Sequence, residues 1–187
     1  MTMFWLLFGV TLVLSNSVAD ERIDGCPDVQ VVQNFDLYKY LGKWYEHAKY
    51  PNSFEKEGKC ISAEYSKNDD GKVRVVNSMI NNRTNEARST EGSARLNSEN
   101  LGEGKLLVYF KVAAAEAPYW ILDTDYANYA VVWNCWKSPK QEVRKTAWIL
   151  TRSQNPSDNI INAAIAVMKK QNLDTDTLIR TDQKHCD

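Results

Sequence analysis

Between Trp44 and Arg152 the chain alternates with a period of two residues, segment after segment. Ile61, Ala63 and Tyr65 fall on one side, against Ser62, Glu64 and Ser66. Val73, Val75, Asn77 and Met79 fall opposite Lys72, Arg74 and Ser78. Leu106, Val108, Phe110 and Val112 oppose Leu107, Tyr109 and Lys111, and Trp148, Leu150 and Arg152 oppose Ala147, Ile149 and Thr151. Successive side chains of a strand point to opposite faces, so each run describes a strand with one buried face. The abundance of aromatic and β-branched residues suits such a surface.

Turn-forming residues separate the runs: Asn68-Asp69-Asp70-Gly71, Asn81-Asn82, Asn97 to Gly104, and an alanine-rich 113–117 ending at Pro118. Eight strands result, at 44–51, 60–67, 72–80, 86–95, 105–113, 118–124, 128–136 and 143–152. No connection is long enough for a crossover helix, so the strands form an antiparallel meander. Eight such strands either close into a barrel or stack as a sandwich. Closure removes the exposed edges and leaves an interior wide enough for one small ligand. Asn77 and Tyr65 are unusual among the inward residues. In a dry, filled core an unpartnered polar group costs ~1–3 kcal/mol, so a ligand, trapped water or a neighbouring strand's side chain must satisfy them.

After the strands the period changes. Asn155 is placed to cap a helix and Pro156 to open it, with Ile160, Ile161, Ala164, Ile165 and Met168 at helical spacing and Lys169-Lys170 at the end. This amphipathic helix packs outside the sheet. Leu173 to Asp187 reads as a tail anchored only through Cys186.

The first residues, MTMFWLLFGVTLVLSNSVADE, carry an apolar run from Phe4 to Leu14 and a small-x-small signal at Ser17-Val18-Ala19. Residues 1–19 read as a secretory signal peptide, too short for a membrane span, and residues 20–187 as one domain. The expected location is extracellular. In that oxidising setting the four cysteines, Cys26, Cys60, Cys135 and Cys186, imply two disulfides, and three pairings are open. No CxxC spacing points to a metal.

The balance of 23 basic against 24 acidic residues contains no basic stripe, which excludes an ordinary nucleic-acid binder. With the cysteines committed to disulfides, no thiol nucleophile remains. His47 and His185 have no nucleophile or carboxylate arranged around them, and Asp123 and Asp125 read as turn-capping groups. The chain therefore reads as a non-enzyme. Asn82 in Asn82-Arg83-Thr84 is a glycosylation sequon in a turn, and a glycan is expected there.

Gly42 permits a turn directly before Trp44, and period two then turns Trp44 inward and the neighbouring lysines, Lys43 and Lys49, towards water. Arg152 falls on the same inward face as Trp148. Its guanidinium can stack on the Trp44 indole and donate to carbonyls, which would plug one end of a barrel. Gly42-Lys43-Trp44, then Thr124-Asp125-Tyr126, then Arg152 in AWILTR resemble, in order, the three signature regions of the lipocalins. The stretches CPDVQVVQNFDLYKYLGKWYEHAKYPNSFEKEGKC and APYWILDTDYANYAVVWNC are similar to the apolipoprotein D, Lazarillo and insect bilin-binding protein group.

That resemblance implies an all-β fold, an eight-stranded antiparallel up-and-down β-barrel with one C-terminal α-helix packed outside. It implies disulfides Cys26–Cys135 and Cys60–Cys186 and a cavity lined by Tyr65, Asn77, Phe110, Tyr119 and Trp148. The unpaired cysteine by which apolipoprotein D bridges to another protein has no counterpart, and Lys137 lies near that place. The implied function is carriage of a small hydrophobic ligand. Biliverdin as bound chromophore is one expectation, and a sterol, retinoid or fatty acid another. A competing reading is an extracellular interaction protein, its barrel a scaffold whose open-end loops touch a receptor or membrane. A receptor or a homo-oligomer is the partner on that reading.

Overall fold

The computed structural model describes residues 25–68, 72–97, 102–137 and 142–186. The expected signal peptide, residues 69–71 of the first turn and 98–101 of the third lie outside them. Eight strands run in sequence: β1 (Gly42–Lys49), β2 (Gly58–Lys67), β3 (Val73–Asn81), β4 (Ala87–Leu96), β5 (Lys105–Phe110), β6 (Ala115–Thr124), β7 (Tyr129–Lys137) and β8 (Val143–Thr151). Each pairs antiparallel with the next, and β1 pairs with both β8 and β2. The sheet is therefore closed into a barrel, and the sandwich alternative is excluded.

The largest differences from the expected strand limits are the end of β5 and the start of β6. β5 ends at Phe110 because the Phe110 carbonyl accepts from the backbone N–H of Ala113 (2.9 Å) and Ala114 (3.2 Å), closing a tight turn. Val112, expected inward, stands on that turn and is 85% exposed. β6 begins at Ala115, inside the expected loop, and carries Pro118 opposite Leu107. The β6–β7 register starts at Trp120, so Pro118 lies where β6 is paired on one side and its missing N–H breaks no bond.

Two apolar clusters divide the molecule. The inner one gathers Trp44, Tyr65, Val75, Leu106, Ile121, Val132 and Leu150. The outer one joins Ala48, Val131, Trp133, Ala147 and Ile149 to Ala164 and Met168 of the helix α2 (Asp158–Lys170). That helix starts two residues later than Asn155 and Pro156 suggested. Ser157 is the N-cap, with Asp158 in the first turn, while Asn155 still belongs to the preceding bend.

The tail is held along its length, not by Cys186 alone. Leu173 is buried, the Tyr50 hydroxyl donates to the Asp174 carbonyl at 2.6 Å, and β9 (Ile179–Arg180) pairs with the end of β1. There β1 has parted from β2, and the tail fills the gap. Thr181 N–H donates to the His47 carbonyl on one side, and Cys60 N–H donates to Asp182 on the other. Disulfides join Cys26 to Cys135 and Cys60 to Cys186.

A plugged end and a lined interior

One end of the barrel is sealed. A four-residue helix, α1 (Leu37–Tyr40), is capped by Asp36, whose carboxylate accepts from Tyr38 and Lys39 N–H. These bonds hold the Asp36 carboxyl below its ordinary range, against the desolvation that would raise it. The turn after α1 passes through Gly42 at φ +95°, where a Cβ would stand 3.2 Å from the Arg152 guanidinium. Trp44 follows, fully buried, its indole N–H donating to the Tyr40 carbonyl at 2.9 Å.

The Arg152 guanidinium covers that indole, its carbon 3.6 Å from the ring centre. Its N–H groups reach the carbonyls of Lys39 (3.0 Å), Tyr40 (3.2 Å), Lys43 (3.0 Å) and Tyr126 (3.0 Å). One side chain thus ties α1, β1 and the β6–β7 turn together. Thr124, Asp125 and Tyr126 build that turn. Asp125 accepts from the N–H groups of Ala127, Asn128 and Tyr129, and the Tyr126 N–H donates to Thr124 Oγ1. Burial raises the Asp125 carboxyl, yet the hydrogen bonds from Asn128 and the backbone outweigh it and hold the carboxyl below its ordinary range.

Above the plug, three phenols meet. Tyr65 O–H donates to the Tyr119 hydroxyl at 2.8 Å, and Tyr119 shares a second bond with Tyr40 at 2.9 Å. Burial pushes all three hydroxyls up, Tyr65 to about 12, so they are neutral. Three protons serve two mutual bonds, which leaves one O–H for another acceptor. Higher up, Asn77 pairs in register with Ala63, and Phe110 with Gly92. Asn77, Phe110, Tyr119 and Trp148 are half-buried although they face inward, so solvent reaches the space between them. Among the described residues, the Asn77 amide has no side-chain hydrogen bond.

Lys49 departs from the sequence reading, which turned it to water, whereas Glu46 shares the parity of Trp44 and faces inward with it. Glu46 is in register with Leu150 and Lys49 with Trp148, both inward, and they are 2% and 6% exposed. A register shift between Glu46 and Ala48 inserts one residue and returns Lys49 to the interior. Its ammonium lies 2.9 Å from Glu46 Oε1 and 3.3 Å from Glu55 Oε2. Trp148 Nε1 also donates to Glu55 Oε2, and Thr181 Oγ1 to Glu46 Oε1 at 2.5 Å. Desolvation, with the Glu55 charge nearby, pushes the Glu46 carboxyl up to about 7. The alternation gave no warning, because a bulge resets the face of every residue after it. No cluster of three or more His, Cys, Asp or Glu suited to a metal ion occurs among the described residues.

A groove of about 720 Å³ on the outer surface, lined by Cys26, Tyr50, Trp133 and Leu173 among others, lies apart from this interior.

The family of lipocalin-like domains matches residues 35–183. The chain is a lipocalin. Its relatives include the Lazarillo protein of Schistocerca americana, 38% identical over 94% of this chain and 83% of that one. Apolipoprotein D of Cavia porcellus is 38% identical over 86% of this chain and 84% of its own. Among solved structures, insecticyanin from Manduca sexta superposes with a TM-score of 0.74 at 31% identity, covering 84% of this chain and 85% of that one. In this lipocalin the signature residues Gly42, Trp44, Thr124, Asp125, Tyr126 and Arg152 meet at the plugged end. Tyr65, Asn77, Phe110, Tyr119 and Trp148 face the barrel interior. Glu46, Lys49 and Glu55 join them there, and α1 adds Tyr40.

Proposed function

We propose that this lipocalin is a secreted carrier that encloses one small hydrophobic ligand in its barrel, with residues 20–187 as the mature chain. The carrying observation is the interior itself. Asn77, Phe110, Tyr119 and Trp148 face inward without packing shut, and the Asn77 amide and one O–H of the phenol group await a partner. A ligand that buries ~300–400 Å² of apolar surface there gains roughly 7–10 kcal/mol before association costs, which supports micromolar binding or better.

The finer assignment is a bilin-type tetrapyrrole such as biliverdin. Its flat conjugated body suits walls of Tyr, Phe and Trp, and its lactam carbonyls suit the spare phenol O–H and the Asn77 amide. Sterols, retinoids and fatty acids offer fewer groups for these two sites. Disulfides Cys26–Cys135 and Cys60–Cys186 fit an oxidising compartment, which supports secretion. The test is the absorption spectrum of the protein purified from its source. A bound bilin gives a band in the red, whereas a lipid carrier is colourless.

A further inference from the structure

Two polar groups without partners stand side by side on one wall of the barrel. Asn134 on β7 and Thr146 on β8 are register partners. Each lies two residues further from the plug than an inward neighbour, Val132 on β7 and Trp148 on β8, and so faces the same interior. They are 6% and 5% exposed, yet among the described residues Asn134 Oδ1 and Thr146 Oγ1 have no hydrogen-bond partner. The rest of the Asn134 amide makes no hydrogen bond among those residues either, so turning the amide over does not remove the deficit.

Buried polar groups are almost always satisfied, so such a pair needs an account. The donors beside it are engaged elsewhere. Trp148 Nε1 donates to Glu55 Oε2, and Arg144, the next inward residue beyond Thr146, pairs with Glu142 at 2.6 Å. Two further buried atoms lack a hydrogen bond among the described residues, and neither belongs to this wall. Trp133 Nε1 is in the outer cluster, and Glu103 Oε2 has the Lys105 ammonium at 3.1 Å.

The strand order adds a second argument. β3 stands four strands from β7 in either direction around the closed sheet, so Asn77 belongs to the opposite wall. The spare phenol O–H and the Asn77 amide can donate to a ligand. Asn134 Oδ1 and Thr146 Oγ1 can accept from it. A ligand that only accepts satisfies the first set and leaves the second stranded.

We propose that Asn134 and Thr146 form a subsite that accepts hydrogen bonds from ligand N–H groups, selecting a body built of pyrrole or lactam rings. This rests on the reading of the barrel as a carrier and deepens it. A bilin has a lactam N–H on each terminal ring and pyrrole N–H between them, beside the carbonyls that suit Asn77 and the phenol. Trp148, next to Thr146 on the same face of β8, offers its indole to a flat conjugated ring that reaches the pair. A sterol or retinol brings a single hydroxyl and a fatty acyl chain no donor along its length, so with them the pair stays at least half unsatisfied.

Titration of the full-length mature protein with biliverdin and with retinyl acetate, a conjugated ligand without N–H or O–H, tests the subsite. Thr146→Val keeps the shape and removes the hydroxyl, and Asn134→Leu removes the amide. Each should weaken biliverdin binding about fivefold or more and leave retinyl acetate within about twofold. Thr146→Ser, which keeps the hydroxyl, should bind biliverdin within about twofold of the native protein, so the serine and valine variants decide the case on biliverdin alone. Without ligand, Thr146→Val should melt no lower than the native protein, because it loses a group that had no partner. Unchanged biliverdin affinity in both Thr146→Val and Asn134→Leu means that trapped water serves the pair and overturns the subsite. Equal losses for both ligands, or a lower melting temperature of unliganded Thr146→Val, reduce the pair to a packing role and overturn it too. Binding of retinyl acetate without biliverdin overturns the N–H selection and leaves the carrier reading standing. Binding of neither overturns the carrier reading and the subsite with it.

Discussion

The guanidinium of Arg152 lies flat over the indole of Trp44, 3.6 Å from its centre, and spends its N–H groups on four carbonyls from three separate segments. This pair closes the barrel and stands away from the space that a ligand would fill. Removing the guanidinium uncovers the indole and leaves four carbonyls without their donor. Arg152→Ala should therefore cost about 2–4 kcal/mol of stability. Ligand affinity should change by less than about threefold. Chemical denaturation and a binding titration on the same variant check both halves.

Trp148 occupies the other situation. It faces the interior in register with Lys49 and Val132, and its indole N–H holds Glu55 of the mouth loop. Trp148→Ala removes a cavity wall and releases that loop, so affinity for a hydrophobic ligand should fall about tenfold or more. Stability should fall as well, by about 2–4 kcal/mol, since the indole packs against the inner cluster. Equal affinity losses in Arg152→Ala and Trp148→Ala would contradict the division between plug and cavity.

Glu46 should leave a signature in the pH dependence of stability. Burial raises its carboxyl from the ordinary 4.5 to about 7 in the folded state. Between those values the folded protein holds a proton that the unfolded chain has released. Glu46 therefore lowers stability progressively as pH rises from about 4.5 to 7, and its contribution is level above that. Glu46→Gln stays neutral throughout. Melting temperatures measured from pH 5 to 8 should show the variant gaining on the native protein as pH increases through this window. A constant difference would mean that Glu46 is ionised throughout.

Asn82 is exposed at the start of the turn that joins β3 to β4, with Thr84 also exposed. A glycan there meets no packed neighbour. Mass spectrometry of protein secreted from insect cells should find Asn82 modified and Asn82→Gln lighter by one glycan. Unmodified Asn82 in secreted material would contradict the assignment.

The sequence made the barrel legible because a closed antiparallel sheet with one wet face forces strict alternation. The signature stretches then located both ends of the plug. What escaped it came from places where local geometry resets the pattern. The register shift after Glu46 returned Lys49 to the interior, although lysine on a strand ordinarily signals the solvent face. The turn at Phe110 placed Val112 in water despite its matching parity. The hold of Thr181, Asp182 and Gln183 on β1 and β2 had no periodic trace, because it rests on backbone and side-chain hydrogen bonds within a gap. α1 was missed for its brevity, with Asp36 before Leu37 as the one cue.

The central claim, that the barrel interior holds one small hydrophobic ligand, is tested most directly by titrating the purified protein with biliverdin and following tryptophan emission. Trp148 on the cavity wall makes the signal local. Saturable quenching at one ligand per chain, with micromolar or tighter affinity and weakened in Trp148→Ala, is the predicted result. No saturable quenching by biliverdin, together with no binding of retinol or a fluorescent hydrophobic probe, would contradict it.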